Sequence, residues 1–324
     1  MKITVSVKAL VLALVLCLGL AQVPALAAES PALTLKYPEI MQAKGYTEPL
    51  VLNAMPERIV VMTNTPVLAL YEMGVPMVAI PATSVVTWPE DLLESAALLN
   101  TAMNANFDIE TVIALDPDLV MLGYTSQETY GKILTDAGIP VYYLDAGHTV
   151  SYESIKQQTE VLIETFGLDD GSGQGILARF DELEARLESA KATFAGKTVM
   201  VLQSSPPSHY IQTKAGTLGS MADMLGLTNV YENDQASMVL IDYETALEYD
   251  PDIVLAVGGS KTAEEHRALM EDDFAKNEAY WNAIRAIREG DVVYLPVSYV
   301  ASAGIYVIDT VNALLDTLEA KLAE

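Results

Sequence analysis

The chain has 324 residues, 44 acidic against 18 basic side chains, a net charge of −26, three histidines and one cysteine. That acidity excludes nucleic acid and anionic membrane surfaces as partners. One cysteine excludes a disulfide framework and any thiolate metal cluster.

Lys2 and Lys8 introduce an apolar run over residues 9–21, which Pro24 breaks before Ala25-Leu26-Ala27. This is the order of a secretory leader, and cleavage is expected after Ala27. The run is shorter than the ~20 apolar residues that span a bilayer, which argues against an anchor. Val15 and Leu16, not small residues, precede Cys17, which argues against lipidation. The expected product is an exported, periplasmic or extracytoplasmic chain of two domains, each of roughly 100–150 residues.

Residues 28–57 read as an irregular lead-in with scattered prolines. From Arg58 short β-branched runs alternate with helical stretches. Strands are expected over 59–62, 77–80, 119–122 and 141–144, and helices over 66–73, 109–114 and 127–137. Residues 154–166 are helical and end at Asp169-Asp170-Gly171-Ser172-Gly173. That glycine-rich stretch lacks the Lys-Ser/Thr ending of a phosphate loop, so it reads as a helix start. Ile176, Phe180, Leu183, Leu187 and Ala190 then recur at helical spacing, predicting one long amphipathic helix over about 174–194. The pattern restarts with strands over 197–202, 253–256 and 291–295. Helices are expected over 218–225, 244–249, 263–269 and 280–288, and a last one over 305–322. Short strands alternating with helices give an α/β fold with parallel sheets.

One motif occurs twice. Glu110-Thr-Val-Ile-Ala-Leu-Asp-Pro-Asp-Leu-Val-Met-Leu122 is matched by Glu244-Thr-Ala-Leu-Glu-Tyr-Asp-Pro-Asp-Ile-Val-Leu-Ala256 at a constant offset of 134 residues. Each copy reads as a short helix, a turn forced by proline, and a buried strand. Two similar lobes therefore flank the long helix, and a ligand cleft is expected where the carboxyl ends of their strands face each other. The domain plan is a leader over 1–27, a lead-in over 28–57, a first lobe over 58–168, a connecting helix over 169–195 and a second lobe over 196–324.

With these motifs in this order, the chain resembles the substrate-binding proteins of ABC importers for iron-siderophores, haem and vitamin B12. Arg58-Ile-Val-Val-Met62, the two Asp-Pro-Asp segments, Gly290-Asp-Val-Val-Tyr294 and Trp281 carry the resemblance. It implies two Rossmann-like lobes joined by a single backbone helix. It also implies one docking acid per lobe for an ABC permease dimer in the cytoplasmic membrane, which falls on Glu110 and Glu244. A carboxylate at a helix N-terminus stays ionised and presents a charge to a permease arginine. A further acid that the family often carries on its opening helix is replaced by Leu68, with Glu72 one turn on.

The loops after the strands hold Trp88, Met103, Phe107, His148, His209, Tyr210, Tyr299 and Tyr306. Aromatic and methionine side chains suit a large, flat, partly apolar ligand. Of these, Trp88, Met103, His209, Tyr210 and Tyr299 are expected to bind it. Haem-binding relatives hold iron between a first-lobe Met and a second-lobe His. The resemblance places the Met at Met103, while the His position falls on Gly258-Gly259, so His209 or Tyr210 stands in. The cargo is thus expected to be haem or another iron chelate, carried by a monomer with no catalytic cofactor. Cobalamin is the alternative within the family. An enzyme on the same scaffold is disfavoured, because His148, His209 and His266 sit in no catalytic motif and no nucleophile elbow is present.

Overall fold

The structure is a computed structural model and describes residues 33–100, 108–146, 150–167, 171–232, 236–242, 244, 248–300 and 303–322. The lead-in is not irregular. It forms β1 (Leu33–Leu35), α1 (Glu39–Gln42) and β2 (Leu50–Leu52), with β1 and β2 paired antiparallel. Leu33 and Leu35 alternate inward around exposed Thr34, so even three residues suffice to bury an apolar face.

The first sheet contains β3 (Ile59–Val61), β4 (Met77–Pro81), β5 (Ala97–Leu99), β6 (Leu119–Gly123) and β7 (Val141–Leu144). Their order is β5-β4-β3-β6-β7 and every pairing is parallel. Ile59, Val60 and Val61 are all buried because helices cover both faces. The helices are α2 (Val67–Glu72), α3 (Glu90–Ser95), α4 (Ile109–Ala114), α5 (Lys132–Asp136) and α6 (Tyr152–Phe166). The lead-in packs along β7: Tyr37 stacks on Tyr142 at 4.6 Å, and the Tyr142 hydroxyl donates to the Lys36 carbonyl at 2.7 Å. Burial pushes the Tyr37 phenol up to about 12. Lys44 places its ammonium 3.8 Å from the buried Asp145 carboxylate, which also accepts from Ser154 Oγ at 2.7 Å.

The long helix forms as expected, as α7 (Ser172–Phe194), buried at Ile176, Phe180, Leu183, Leu187 and Ala190. The second lobe holds β8 (Thr198–Ser205), β9 (Ser208–Gln212), α8 (Thr217–Met224), β10 (Thr228–Asn229), β11 (Met238–Leu240) and β12 (Ile253–Gly258). It continues with α9 (Ala263–Lys276), α10 (Glu278–Trp281), α11 (Arg285–Glu289), β13 (Val292–Leu295) and α12 (Val307–Leu322). Its order is β11-β9-β8-β12-β13, with β10 beside β8. This sheet is not wholly parallel. Ser205 pairs with Ser208 across Pro206-Pro207, and a two-residue connection can only return the chain antiparallel. β11 then adds antiparallel to β9. The expected helix over 244–249 lies largely outside the described residues.

The third residue of each Asp-Pro-Asp turn ties its strand to the neighbouring one. Asp118 accepts from the backbone N–H groups of Glu57 and Arg58 at 2.7 and 2.9 Å. Asp252 accepts from the Thr198 N–H at 2.9 Å, and Arg285 closes over both Asp250 and Asp252. The Thr198 N–H, with help from Arg285, holds the Asp252 carboxyl below its ordinary range. Asp252→Ala should therefore cost about 1–3 kcal/mol in a urea melt, the scale of a charge-assisted hydrogen bond lost. A loss under about 0.5 kcal/mol, the ordinary surface scatter, would show that the turn is held by other contacts.

One apolar cluster runs through both lobes. It includes Ile59 and Leu119 of the first sheet, Phe180 and Leu187 of α7, and Val201, Leu255 and Leu314 of the second lobe. The lobes also touch backbone to backbone. Gly304 has φ +63°, and a Cβ there would lie 1.8 Å from the Thr65 carbonyl oxygen. Only glycine admits that approach.

Candidate functional site

Parallel strands deliver their carboxyl ends to one edge of each sheet, and the loops that follow them form the rim of the cleft. In the first lobe the rim holds Asn64, which donates to Thr83 Oγ1 at 3.1 Å, and the half-buried Tyr124. In the second lobe, Gly258 of β12, Ser204 of β8 and His209 of β9 pair in one row across the sheet end.

The residues expected to line the cleft separate into two groups. Trp88 is buried and donates its Nε1–H to the Pro81 carbonyl at 2.8 Å. Tyr299 is buried and donates to the Thr310 carbonyl at 3.0 Å, and burial raises its phenol pKa. Both rings turn inward because an indole or phenol donor can be buried only against an acceptor, which these loops supply. His209 likewise departs from its expected place. It is 2 % exposed, with Nδ1 2.9 Å from Ser204 Oγ and Nε2 3.2 Å from Asp273 Oδ2. Trp281 meets its ring edge-on at 5.1 Å. With Nδ1 hydrogen-bonded to Ser204 and Nε2 facing the buried Asp273 carboxylate, it is enclosed in the outer layer of the lobe and is not presented to a cleft ligand. Burial pulls its pKa down, and Asp273 partly opposes this. Met103 and His148 lie outside the described residues.

Tyr210 is placed differently from these three. It follows His209, so its side chain takes the other face of the sheet, and it is half exposed. Opposite it in register stands Leu240, 64 % exposed, with Met238 at 38 % on the same face of β11. These two large exposed apolar side chains share the Tyr210 face of the sheet, Leu240 opposite Tyr210 and Met238 opposite Gln212, and sequence reasoning missed them. The signal was present: Met238-Val-Leu-Ile241 runs straight into the second motif copy.

The motif glutamates are exposed in both lobes. Because α4 leads through a turn into β6, it runs opposite to that strand, and its N-terminus returns to the cleft-side edge. The turn lies at the far edge. Glu110 therefore sits at the rim of its lobe, and Glu244 holds the same place in the second motif copy, ahead of β12. Each stands two residues after an aspartate that accepts a backbone N–H close by, and Asp108 is the N-cap of α4. Asp108 accepts from the Thr111 N–H at 3.1 Å, and Asp242 accepts from the Glu244 N–H at 3.1 Å. The Thr111 hydroxyl and N–H hold Asp108 below its ordinary pKa. The repeat thus starts two residues earlier than the sequence reading placed it, at Asp108 and Asp242. Glu72 is not free in this way, since Arg179 of α7 pairs with it.

Ser204, His209 and Asp273 come together as a hydroxyl, imidazole and carboxylate, the ingredients of a hydrolase. Ser204 and His209 lie on the sheet beneath α9 and Asp273 on the buried side of that helix, all three enclosed where no substrate carbonyl could meet the hydroxyl. Among the described residues, no group of three or more His, Cys, Asp or Glu is placed to hold a metal ion. Among the same residues, no helix is long and apolar enough to cross a membrane.

Comparison with solved structures gives the same architecture. The haem complex of IsdE from Staphylococcus aureus is 20 % identical, with a TM-score of 0.65 over 80 % of this chain and 97 % of that one. The petrobactin-binding protein YclQ from Bacillus subtilis is 20 % identical, with a TM-score of 0.66 over 88 % and 98 %. The vitamin B12 binding protein BtuF of Vibrio cholerae is 17 % identical, with a TM-score of 0.64 over 83 % and 99 %. No curated protein sequence matches the chain. The periplasmic binding protein family matches residues 59–299, which spans both sheets, the connecting helix and both motif copies, and the chain belongs to that family.

Proposed function

We propose that this protein is the solute-binding component of an ABC importer, which captures an iron complex, haem or a ferric chelate, between its lobes and delivers it to a membrane permease. The observation that supports the reading most is the repeated motif, which leaves an exposed glutamate at the same position of each copy, beside two sheets whose post-strand loops approach each other at Thr65 and Gly304. Residues 1–27 serve as the cleaved export leader. Glu110 and Glu244 dock on the permease dimer, and the acidic chain acts as a monomer.

In this reading Tyr210 is the second-lobe group for the cargo, with Leu240 and Met238 as an apolar wall beside it. A phenol can ligate iron directly. Met103 serves from the first lobe. Purified protein should bind haemin or a ferric siderophore with a Kd on the order of 1 μM or tighter. Soret displacement or tryptophan quenching would report it, with cobalamin run in parallel. With haemin, Tyr210→Phe should change the iron spectrum and Met103→Ala should change it further. A spectrum unchanged in both variants would remove them as ligands. Saturation by cobalamin alone would move the protein to that cargo, and binding of none of the three would end the reading.

A further inference from the structure

The row Gly258–Ser204–His209 lies under α9. His266, Met270 and Asp273 recur at helical spacing along the buried side of that helix, so one face of α9 covers the row. At one end Asp273 reaches His209. At the other, His266 sits directly behind Gly258: a Cβ at 258 would lie 2.5 Å from His266 Cε1 and 2.4 Å from the Ser204 carbonyl oxygen. His266 thus occupies the space that a side chain at 258 would take.

The two imidazoles are in opposite situations. His209 faces Asp273 on one side and the Ser204 hydroxyl on the other. Ser204 can donate to a neutral ring or accept from a protonated one, and Asp273 offsets the charge, so this ring can gain a proton in place. His266 is 0 % exposed, and neither of its nitrogens has a hydrogen-bond partner. Gly258 and the Ser204 backbone face it from the sheet and bring no charge. Burial alone lowers its pKa, with nothing opposing. The phenols of the same layer, Tyr280 and Tyr294, do not titrate in acid. A buried unpaired cation is the costliest group a core can hold.

We propose that this row is an acid-triggered release device, in which protonation drives His266 out from behind Gly258 and loosens the 258–262 loop at the mouth of the cleft, while His209 is protonated in place. The loop is coupled to the next one, since the Ser260 carbonyl accepts from the Val297 N–H at 2.8 Å. Both histidines are depressed from 6.5, so the closed arrangement binds fewer protons than the open one. Its stability is full above about pH 6.5 and is lost as the pH falls below that value. The device would turn the second lobe's rim from closed to open on entering an acidic surface layer. Only this consequence for cargo rests on the importer reading, because the opening itself belongs to the cargo-free protein.

The test is amide exchange on cargo-free wild type at about pH 7.5 and about pH 5, corrected for intrinsic rates. Residues 258–270 should lose protection by roughly tenfold or more in acid, while residues 119–123 of the first sheet keep theirs. His266→Leu should abolish the loss. His209→Gln should retain it. In Trp88→Phe, emission from Trp281 should fall in acid, and that fall should disappear when His209→Gln is added. Equal protection of 258–270 at both pH values would overturn the proposal, as would the same acid loosening in His266→Leu. Should His266→Leu fail to fold, the wild-type exchange pattern decides alone. Failure to bind any iron complex would leave this result untouched.

Discussion

Gly304→Ala should destabilise the protein by roughly 2–5 kcal/mol. Two costs add. A non-glycine residue at a left-handed φ costs about 1–2 kcal/mol, and forcing an atom into a filled contact costs about 1–3 kcal/mol more. Here the contact is a backbone carbonyl, Thr65, which cannot rotate away as a side chain would. Thr65 belongs to the first lobe and Gly304 to the second, so relief requires the lobes to part. The control is Gly138→Ala, at φ +82° with nothing within 4 Å of the added Cβ. Chemical or thermal melts of both variants separate the terms: Gly138→Ala should show the backbone cost alone. Equal losses would mean that the close approach carries no energy. Cargo affinity should fall in Gly304→Ala and hold in Gly138→Ala, because only the first displaces the lobes.

The second large effect is expected in transport, not in binding. Glu110→Ala combined with Glu244→Ala should lower uptake of labelled cargo by on the order of tenfold or more, since each change removes a charged contact worth more than 1.4 kcal/mol when desolvated. Affinity for cargo should stay within about twofold, because both carboxylates point outward at the rim. Proteoliposomes carrying the partner permease would give the uptake, and fluorescence titration the affinity. Either single variant should retain part of the uptake, as the other lobe still docks. Loss of affinity would place the glutamates in the cleft. Unchanged uptake in the double variant would end the docking assignment.

Much of this architecture was readable before any coordinates. Ile59, Leu119 and Val141 begin runs that are apolar at every position, and such runs leave few choices but a strand covered on both faces. The heptad-like spacing from Ile176 to Ala190 could only be one helix with one buried side. The motif pair was visible because its constraints are local: proline stops a helix, aspartate caps the neighbouring strand, and both sit in adjacent residues. The lead-in was opaque because β1 and β2 have three residues each and stabilise one another across the 14 residues between Leu35 and Leu50, a pairing with no local signature. The hairpin at Pro206-Pro207 was opaque for a related reason. Two prolines read as a loop, which hid the fact that His209 lies on a strand.

That error propagated into the site. A residue on a strand has a face, and the face decides its fate: His209 turns to α9 and Tyr210 to the opposite face, where it stays half exposed, though they are neighbours in sequence. Trp88 and Tyr299 show the other blind spot. Whether an indole or phenol in a loop points outward depends on whether a free carbonyl waits inside, and the carbonyls of Pro81 and Thr310 become available only once the chain has folded.

The apolar cluster that threads from the first sheet through α7 into the second has a mechanical meaning. Two bodies joined by a flexible linker sample many separations and must find their closed form by diffusion. Two sheets glued along a shared interior behave as one spring with a stiff neck, whose motions are small and whose rest position is set by packing. Such an object recognises cargo by matching a gap of nearly fixed width, so its selectivity resides in the dimensions of the opening as much as in the groups that line it.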